Sequence, residues 1–347
     1  MIHPVLAELW RGPLVESFHR GSFAVVDADG AVCHQGGDID RPVYARSAVK
    51  GLQALPLVAS GAAERFGLVD AELALACASH GGEPEHVATA ADMLAKAGLD
   101  AGVLECGVHW PGNEAAARAL AAGHETPRAL HNNCSGKHSG FACVGCMMAG
   151  RPDDGDAARG FLRGYVEPDH PVMREITASL ESATGTRLAD APRATDGCSI
   201  PTFGIPLRAL ALGFARFGTG VGLAPDRARA AARLRAAVAA APFMVAGTGR
   251  LDTVLMRHFG TRVFCKVGAE GVYCAALPEL GLGIALKMDD GNTARAAEVA
   301  VVALIAALLP LDDADRAVVG PLKDVALRNW NGRDVGRLAA APGWPAR

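Results

Sequence analysis

Short runs of apolar and β-branched residues set between polar and glycine-containing stretches predict three short strands over 14–19, 23–27 and 31–35. Asp29-Gly30 supplies the hairpin turn between the second and third. From residue 46 to about Ala241 the chain is rich in alanine, is punctuated by Gly and Pro, and lacks a repeat of fixed period, which predicts a mainly helical region. Strand-like runs return over 261–268, 271–277 and 282–288, and an apolar helix over 293–309 and a looser tail close the chain. Strands at both ends around a helical insertion predict an α+β fold, in which an antiparallel sheet built from both chain ends carries packed helices. No Ser/Gly linker or charge run divides the sequence. One domain over 1–347 is therefore expected, with 1–45 and 245–347 forming an α/β part and 46–244 a mainly helical part.

Composition narrows the partners. A chain of 347 residues, half of them hydrophobic, can bury a large core. Its net charge of −3 provides no basic footprint for nucleic acid or an anionic membrane, so a small-molecule partner is expected. The opening Met1-Ile2-His3-Pro4 runs into mixed sequence with charges at Glu8 and Arg11, and the apolar stretch 299–309 is too short to span a bilayer. A cytoplasmic location follows as an expectation. Nine cysteines, an odd number in a chain of this length, suggest free thiols or metal ligands rather than a secreted disulfide framework, with most of them packed as small core residues.

Candidate chemistry begins at Tyr44-Ala45-Arg46-Ser47-Ala48-Val49-Lys50, where an extended stretch gives way to a helix-prone run. Spaced three apart on a helix, Lys50 stacks over Ser47, and a neutral, desolvated amine there can take the hydroxyl proton. The same serine also reads as a helix cap. Far downstream, Lys266-Val267-Gly268 on a strand resembles the Lys-Thr/Ser-Gly motif of the penicillin-binding and serine β-lactamase class, with valine replacing the hydroxyl residue. The order of elements is similar to that class as well. Cys143-Val144-Gly145-Cys146 has metal-ligand spacing but sits in an apolar helix-like run, which favours core packing. Cys134 differs, lying in the polar, glycine-containing stretch His131 to Gly140, and Cys198 occupies a second such loop, Thr195 to Pro201. Loops of this kind build binding sites, and two thiolates from them can meet at a metal.

Together these strings resemble the asparaginase II family, of the thermolabile rhizobial type. The resemblance runs from Arg46-Ser47-Ala48-Val49-Lys50 through Ala78-Ser79-His80-Gly81-Gly82, His131-Asn132-Asn133-Cys134-Ser135-Gly136-Lys137-His138, Asp196-Gly197-Cys198, Gly249-Arg250-Leu251-Asp252 and Lys266-Val267-Gly268 to Lys287-Met288-Asp289-Asp290-Gly291. It implies a serine β-lactamase/glutaminase-like fold, a homodimer, and hydrolysis of L-asparagine to L-aspartate and ammonia. It also implies two serine-lysine tandems, Ser47 with Lys50 and Ser79 with Lys266, and zinc held by Cys134, Lys137 and Cys198 with Asp196 close by. A lysine ligand must be neutral, which requires the metal and burial to depress its pKa. Ser47 is expected to attack with Lys50 as base, while Ser79 and Lys266 serve the leaving group and the hydrolytic water; the reverse order of the serines stays open. Arg46 is a candidate for the substrate carboxylate or a surface ion pair, His138 for orienting the site or a structural bond, and Asp196 for a substrate contact. Asp289-Asp290-Gly291 reads equally as an amine contact or a turn. Two other functions fit the same residues: a glutaminase or broader amidase, and a non-catalytic protein that binds a metal or ligand on this scaffold.

Overall fold

A computed structural model describes residues 2–150 and 155–345. Its main sheet has eight antiparallel strands drawn from the two ends of the chain. The N-terminal part supplies β1 (Val5–Arg11), β2 (Leu14–Asp27) and β3 (Val32–Gly36). A short sheet in the middle holds β4 (Pro42–Tyr44), β5 (Arg193–Thr195) and β6 (Pro201–Pro206), in the order β4-β6-β5. The C-terminal part returns with β7 (Phe264–Val267), β8 (Val272–Leu277), β9 (Leu282–Met288), β10 (Asp324–Arg328) and β11 (Asp334–Ala340). The main sheet runs β10-β11-β1-β2-β9-β8-β7, and β3 pairs with β2. The mixture of helix and antiparallel sheet is the expected α+β class.

Three details depart from the sequence reading. The expected strands 14–19 and 23–27 are one strand of 14 residues. β2 pairs with β1 through its first half, then from Gly21 onward with β9. Gly21 reads as a break, yet its role is steric, since a Cβ there would lie 2.5 Å from the Lys287 carbonyl oxygen on β9. Second, β1 arises from the stretch read as mixed sequence, and β4 to β6 interrupt the helical region. Third, the tail is ordered. A helix over Asp313–Lys323, capped by Asp312, leads into the β10–β11 hairpin, and β11 pairs with β1 from Ala7↔Ala340 to Arg11↔Gly336.

Every residue of β8 is buried. Neighbouring side chains on a strand point to opposite faces, so both faces of the sheet are covered here. The helices Leu207–Thr219 and Glu298–Leu308 both pack on it. Val299 to Ile305 of the second helix are all buried, as an apolar-all-round helix requires. Around the other side, the helices Asp70–Ala76, Pro84–Lys96, Ser135–Met148 and Pro171–Thr184 form the helical layer. Where β7 ends against the turn Arg46–Val49, the helical layer meets the sheet, and the candidate chemistry collects there.

Candidate active site

Ser47 lies in a 3-10 turn, Arg46–Val49, that runs directly into the short helix Lys50–Gln53. Its entry is strained: Arg46 has φ of +51°, a left-handed conformation that costs a non-glycine residue about 1 kcal/mol or more. The turn is pressed from below by Gly268, just past β7, where a Cβ would come within 2.7 Å of the Ala45 carbonyl oxygen. A glycine after Lys266 and Val267 thus lets the lysine strand abut the serine turn. Ser47 is half-buried, and among the described residues no hydrogen bond ties down its hydroxyl.

The Lys50 side chain is 1% exposed. Its amine donates to the Ala78 carbonyl at 2.6 Å, to Ser79 Oγ at 2.9 Å and to the Asn133 carbonyl at 3.4 Å. The structure therefore sets Lys50 on the serine of the other expected tandem. Ser79 is itself buried, in the coil between the helices Asp70–Ala76 and Pro84–Lys96, and its backbone N–H is held by the Val245 carbonyl at 2.9 Å. The next residue, His80, is locked in one neutral form. Gly82 N–H donates to its Nδ1 at 3.1 Å, so Nε2 carries the proton and meets Ser135 Oγ at 2.9 Å. Burial, with the His86 ring and Lys50 adding to it, pushes His80 well below the usual histidine range. That ring shapes the Ser79 turn and takes no part in proton shuttling near neutral pH.

Lys266 is fully buried on β7, with its amine on the Val267 carbonyl at 2.9 Å and 3.6 Å from Asp252 Oδ2. Burial lowers its pKa to about 8, with Lys50 and Arg250 pushing the same way and Asp252 opposing. Near pH 8 this amine is half neutral. No hydrogen bond joins Lys266 to Ser79 among the described residues.

Cys134, Lys137 and Cys198 converge on the neighbouring wall. Cys134 precedes the helix Ser135–Met148, and Lys137 follows it by three residues on the first turn. The helix therefore begins inside the stretch read as a loop ahead of it. Cys198 comes from the turn between β5 and β6, where Ser199 has φ of +74°. The Lys137 amine donates to Cys198 Sγ at 3.0 Å, and the two thiols lie close enough to shift each other's titration. The Cys198 hydrogen bond draws Cys134 well below the usual thiol range against the cost of burial, helped by the Lys50 and Lys137 ammonium groups. Cys198 is raised in return, first by that bond and then by burial. Burial would lower Lys137, but the charges of Cys198 and Cys134 outweigh it and raise the amine. Among the described residues no three His, Cys, Asp or Glu side chains gather for a metal, so any ion here depends on the lysine. Two sulfurs and an amine are soft donors of the kind zinc accepts, they are buried together, and they fit that ion.

The remaining candidates lie as follows. Arg46 grips Asp196, with Nε at 2.7 Å and Nη2 at 2.6 Å from one carboxylate oxygen, and so ties the serine turn to the Cys198 loop. His138 is 0% exposed. Its Nδ1 meets the Tyr165 hydroxyl at 2.6 Å, and its buried Nε2 has no partner. Asp289 and Asp290 form a turn and bind His3, at 2.8 Å, and His19. Cys143 and Cys146 are buried in the core, facing the Met93 and Ala97 carbonyls. Asp252 and Asn133 stand in strings that carry the family resemblance, but neither they nor Tyr273 was given a role; a carboxylate in the first turn of a helix and an asparagine in a glycine-containing stretch are the local signals they carry.

No helix among the described residues is long and apolar enough to cross a membrane. No curated protein matches the chain. A family model does: L-asparaginase II, a family of asparaginase-type hydrolases with small-molecule substrates, matches residues 7–340. With nearly its whole length matched, and with the serines, amines and thiols gathered at one junction, the chain belongs to the L-asparaginase II family.

Proposed function

We propose that this chain is an L-asparaginase of the rhizobial type, releasing ammonia from L-asparagine through a serine ester. The observation that carries the reading is the buried Lys50 amine, within hydrogen-bond distance of Ser79 Oγ and near a second buried amine whose pKa is about 8. Hydrolysis of an unactivated amide needs a nucleophile, a base for its proton and a proton for departing ammonia. Ser47, half-buried and with a free hydroxyl, attacks the side-chain carbonyl, and Lys50, acting from its neutral form, accepts its proton. Ser79, already bonded to Lys50, passes the proton to the leaving nitrogen. Lys266, neutral in a usable fraction, activates the water that breaks the ester. The same 2.9 Å contact supports a second reading, in which Ser79 attacks with Lys50 as its base.

Cys134, Lys137 and Cys198 would hold Zn2+, which when bound supplies a positive charge and an open position for polar groups of the substrate. Arg46 and Asp196 set the spacing between that wall and the serine turn. His138 supports Lys137 from inside the helix. The reading carries with it a β-lactamase/glutaminase-like scaffold, the domain division given above, a homodimer and a cytoplasmic location.

Ammonia release from asparagine, glutamine and simple amides tests the activity and separates asparaginase from broader amidase. Mass spectrometry of enzyme quenched in acid during turnover then assigns the nucleophile. An aspartyl adduct on the Ser47 peptide is expected; an adduct on the Ser79 peptide establishes the second reading, and no ammonia from any amide overturns both.

A further inference from the structure

Lys266 is buried on a strand whose other side chains are apolar or thiols, and something must hold its amine in place and compensate its charge. Among the described residues, Asp252 is the only carboxylate within ion-pair distance of that amine, 3.6 Å away. It is 2% exposed and belongs to the first turn of the helix Leu251–Phe259. Its two oxygens are used differently. Oδ2 accepts the Val267 backbone N–H at 3.2 Å, fixing the carboxylate to the strand that carries the lysine. Oδ1 accepts the hydroxyl proton of Tyr273, a fully buried residue of β8 that lies opposite Val267 in the strand pairing. Helix, lysine strand and neighbouring strand are thus joined at one carboxylate.

The geometry points to Asp252, braced by Tyr273, as a positioning residue that holds the Lys266 amine against β7 and sets the pH at which that amine becomes neutral. The inference rests on the proposed role of Lys266 as a base, but its placement does not depend on the substrate.

The groups that face Lys266 decide the direction of the effect. Lys50 from its helix and Arg250 from the turn before Asp252 disfavour its charge, as burial does. Cys134 favours it from a distance, while the Cys77 and Cys274 thiols, held by burial above the usual range, are neutral. Cys265, next to it on β7, is likewise raised by burial. Glu298, on the C-terminal helix, senses Asp252 from the far side, and burial with that carboxylate brings it to about 7. Asp252 is therefore the main group that keeps Lys266 protonated below pH 8.

Asp252→Asn keeps the shape and removes the charge. It should move the rising limb of the kcat profile toward acid by about one unit, the shift typical of losing one close opposite charge. It should also lower kcat about tenfold or more, with little change in KM. The direct readout needs no activity: in protein labelled with 15N at lysine side chains, the Lys266 resonance, identified by its loss in Lys266→Met, should titrate at lower pH in Asp252→Asn. An unchanged Lys266 titration overturns the inference and leaves the proposed asparaginase reaction standing, whereas absence of ammonia release by the parent enzyme overturns only the reaction. If Asp252→Asn does not fold, Tyr273→Phe decides. It keeps the charge and removes the brace, so kcat should fall several-fold with the limb in place, and an unaltered kcat overturns the inference.

Discussion

A buried lysine carries two separable quantities, and Lys266 displays both. Its amine costs stability as a charged group and gains reactivity as a neutral one. In the unfolded chain it titrates near 10.5 and in the fold at about 8. Below pH 8 both states bind the proton and the folded state bears the full cost of burying it, on the order of 3.5 kcal/mol at about 1.4 kcal/mol per unit. Between pH 8 and 10.5 the unfolded chain binds more protons, so this cost fades and the group's contribution to stability improves with rising pH. Lys266→Met lacks this titration, so the parent's stability should rise relative to that of the variant between pH 8 and about 10, whatever offset the unpaired Asp252 adds at pH 7; calorimetry over that range checks it. Ammonia release by the same variant should be nearly abolished. Lys50→Met and Ser79→Ala should each lower kcat by about a hundredfold or more with the fold intact, because each removes one end of the 2.9 Å contact. Circular dichroism beside the rate assay separates lost chemistry from lost structure.

Elements explain why these residues meet. The serine turn rests on Gly268, the lysine strand is pinned by the helix that carries Asp252, and the thiol wall is a helix start joined to a strand turn. Much of this was legible. Apolar strand-like runs bounded by Gly/Glu/Pro turns located β8 and β9 closely, and the Ser-x-x-Lys spacing, the polar stretch at Cys134 and the Cys198 loop all stand at the junction. What escaped was pairing across elements. Nothing in the local sequence says that the amine of Lys50 rests on Ser79 or that Arg46 closes on Asp196, because both contacts are set by how the helical layer docks. The separation of 14–19 from 23–27 has a similar cause, since the close approach that Gly21 allows depends on β9.

The thiol wall makes a prediction at this scale. Zinc ligation needs both thiols and the Lys137 amine without their protons, and the neighbouring sulfurs hold the proton on that amine. Binding of zinc to all three should therefore release protons. Calorimetric titration in buffers of different ionisation enthalpy counts them, and Cys134→Ser or Cys198→Ser should lose most of the metal while Cys143→Ser, packed in the core, retains it. Arg46→Met breaks the tie between serine turn and thiol loop. It should raise KM for asparagine several-fold and weaken zinc binding with it, and a change in one without the other would separate the two walls.

At the scale of the whole molecule, the sheet is sewn from the two ends of the chain. β1 has its second neighbour only when β11 arrives, and the second half of β2 is completed only by β9. Removing residues 324–347 would bare one edge of β1 while leaving the junction residues in place, so melting temperature should drop by several degrees and aggregation should rise, as light scattering during a thermal ramp would record. The same arrangement governs the protein's birth on the ribosome. Synthesis runs at roughly 5–20 residues per second, so the apolar second half of β2 waits on the order of ten to fifty seconds for β9. Until the helix Leu207–Thr219, which also packs on β2, has been made, the short hairpin with β3 is its main cover, and the edge of Phe23, Ala24, Val25 and Val26, all buried in the finished fold, stays unpaired until β9 arrives. Yield of this enzyme in a cell is thus governed by what protects a newborn chain, and slower translation, which lengthens the wait, should lower it rather than help.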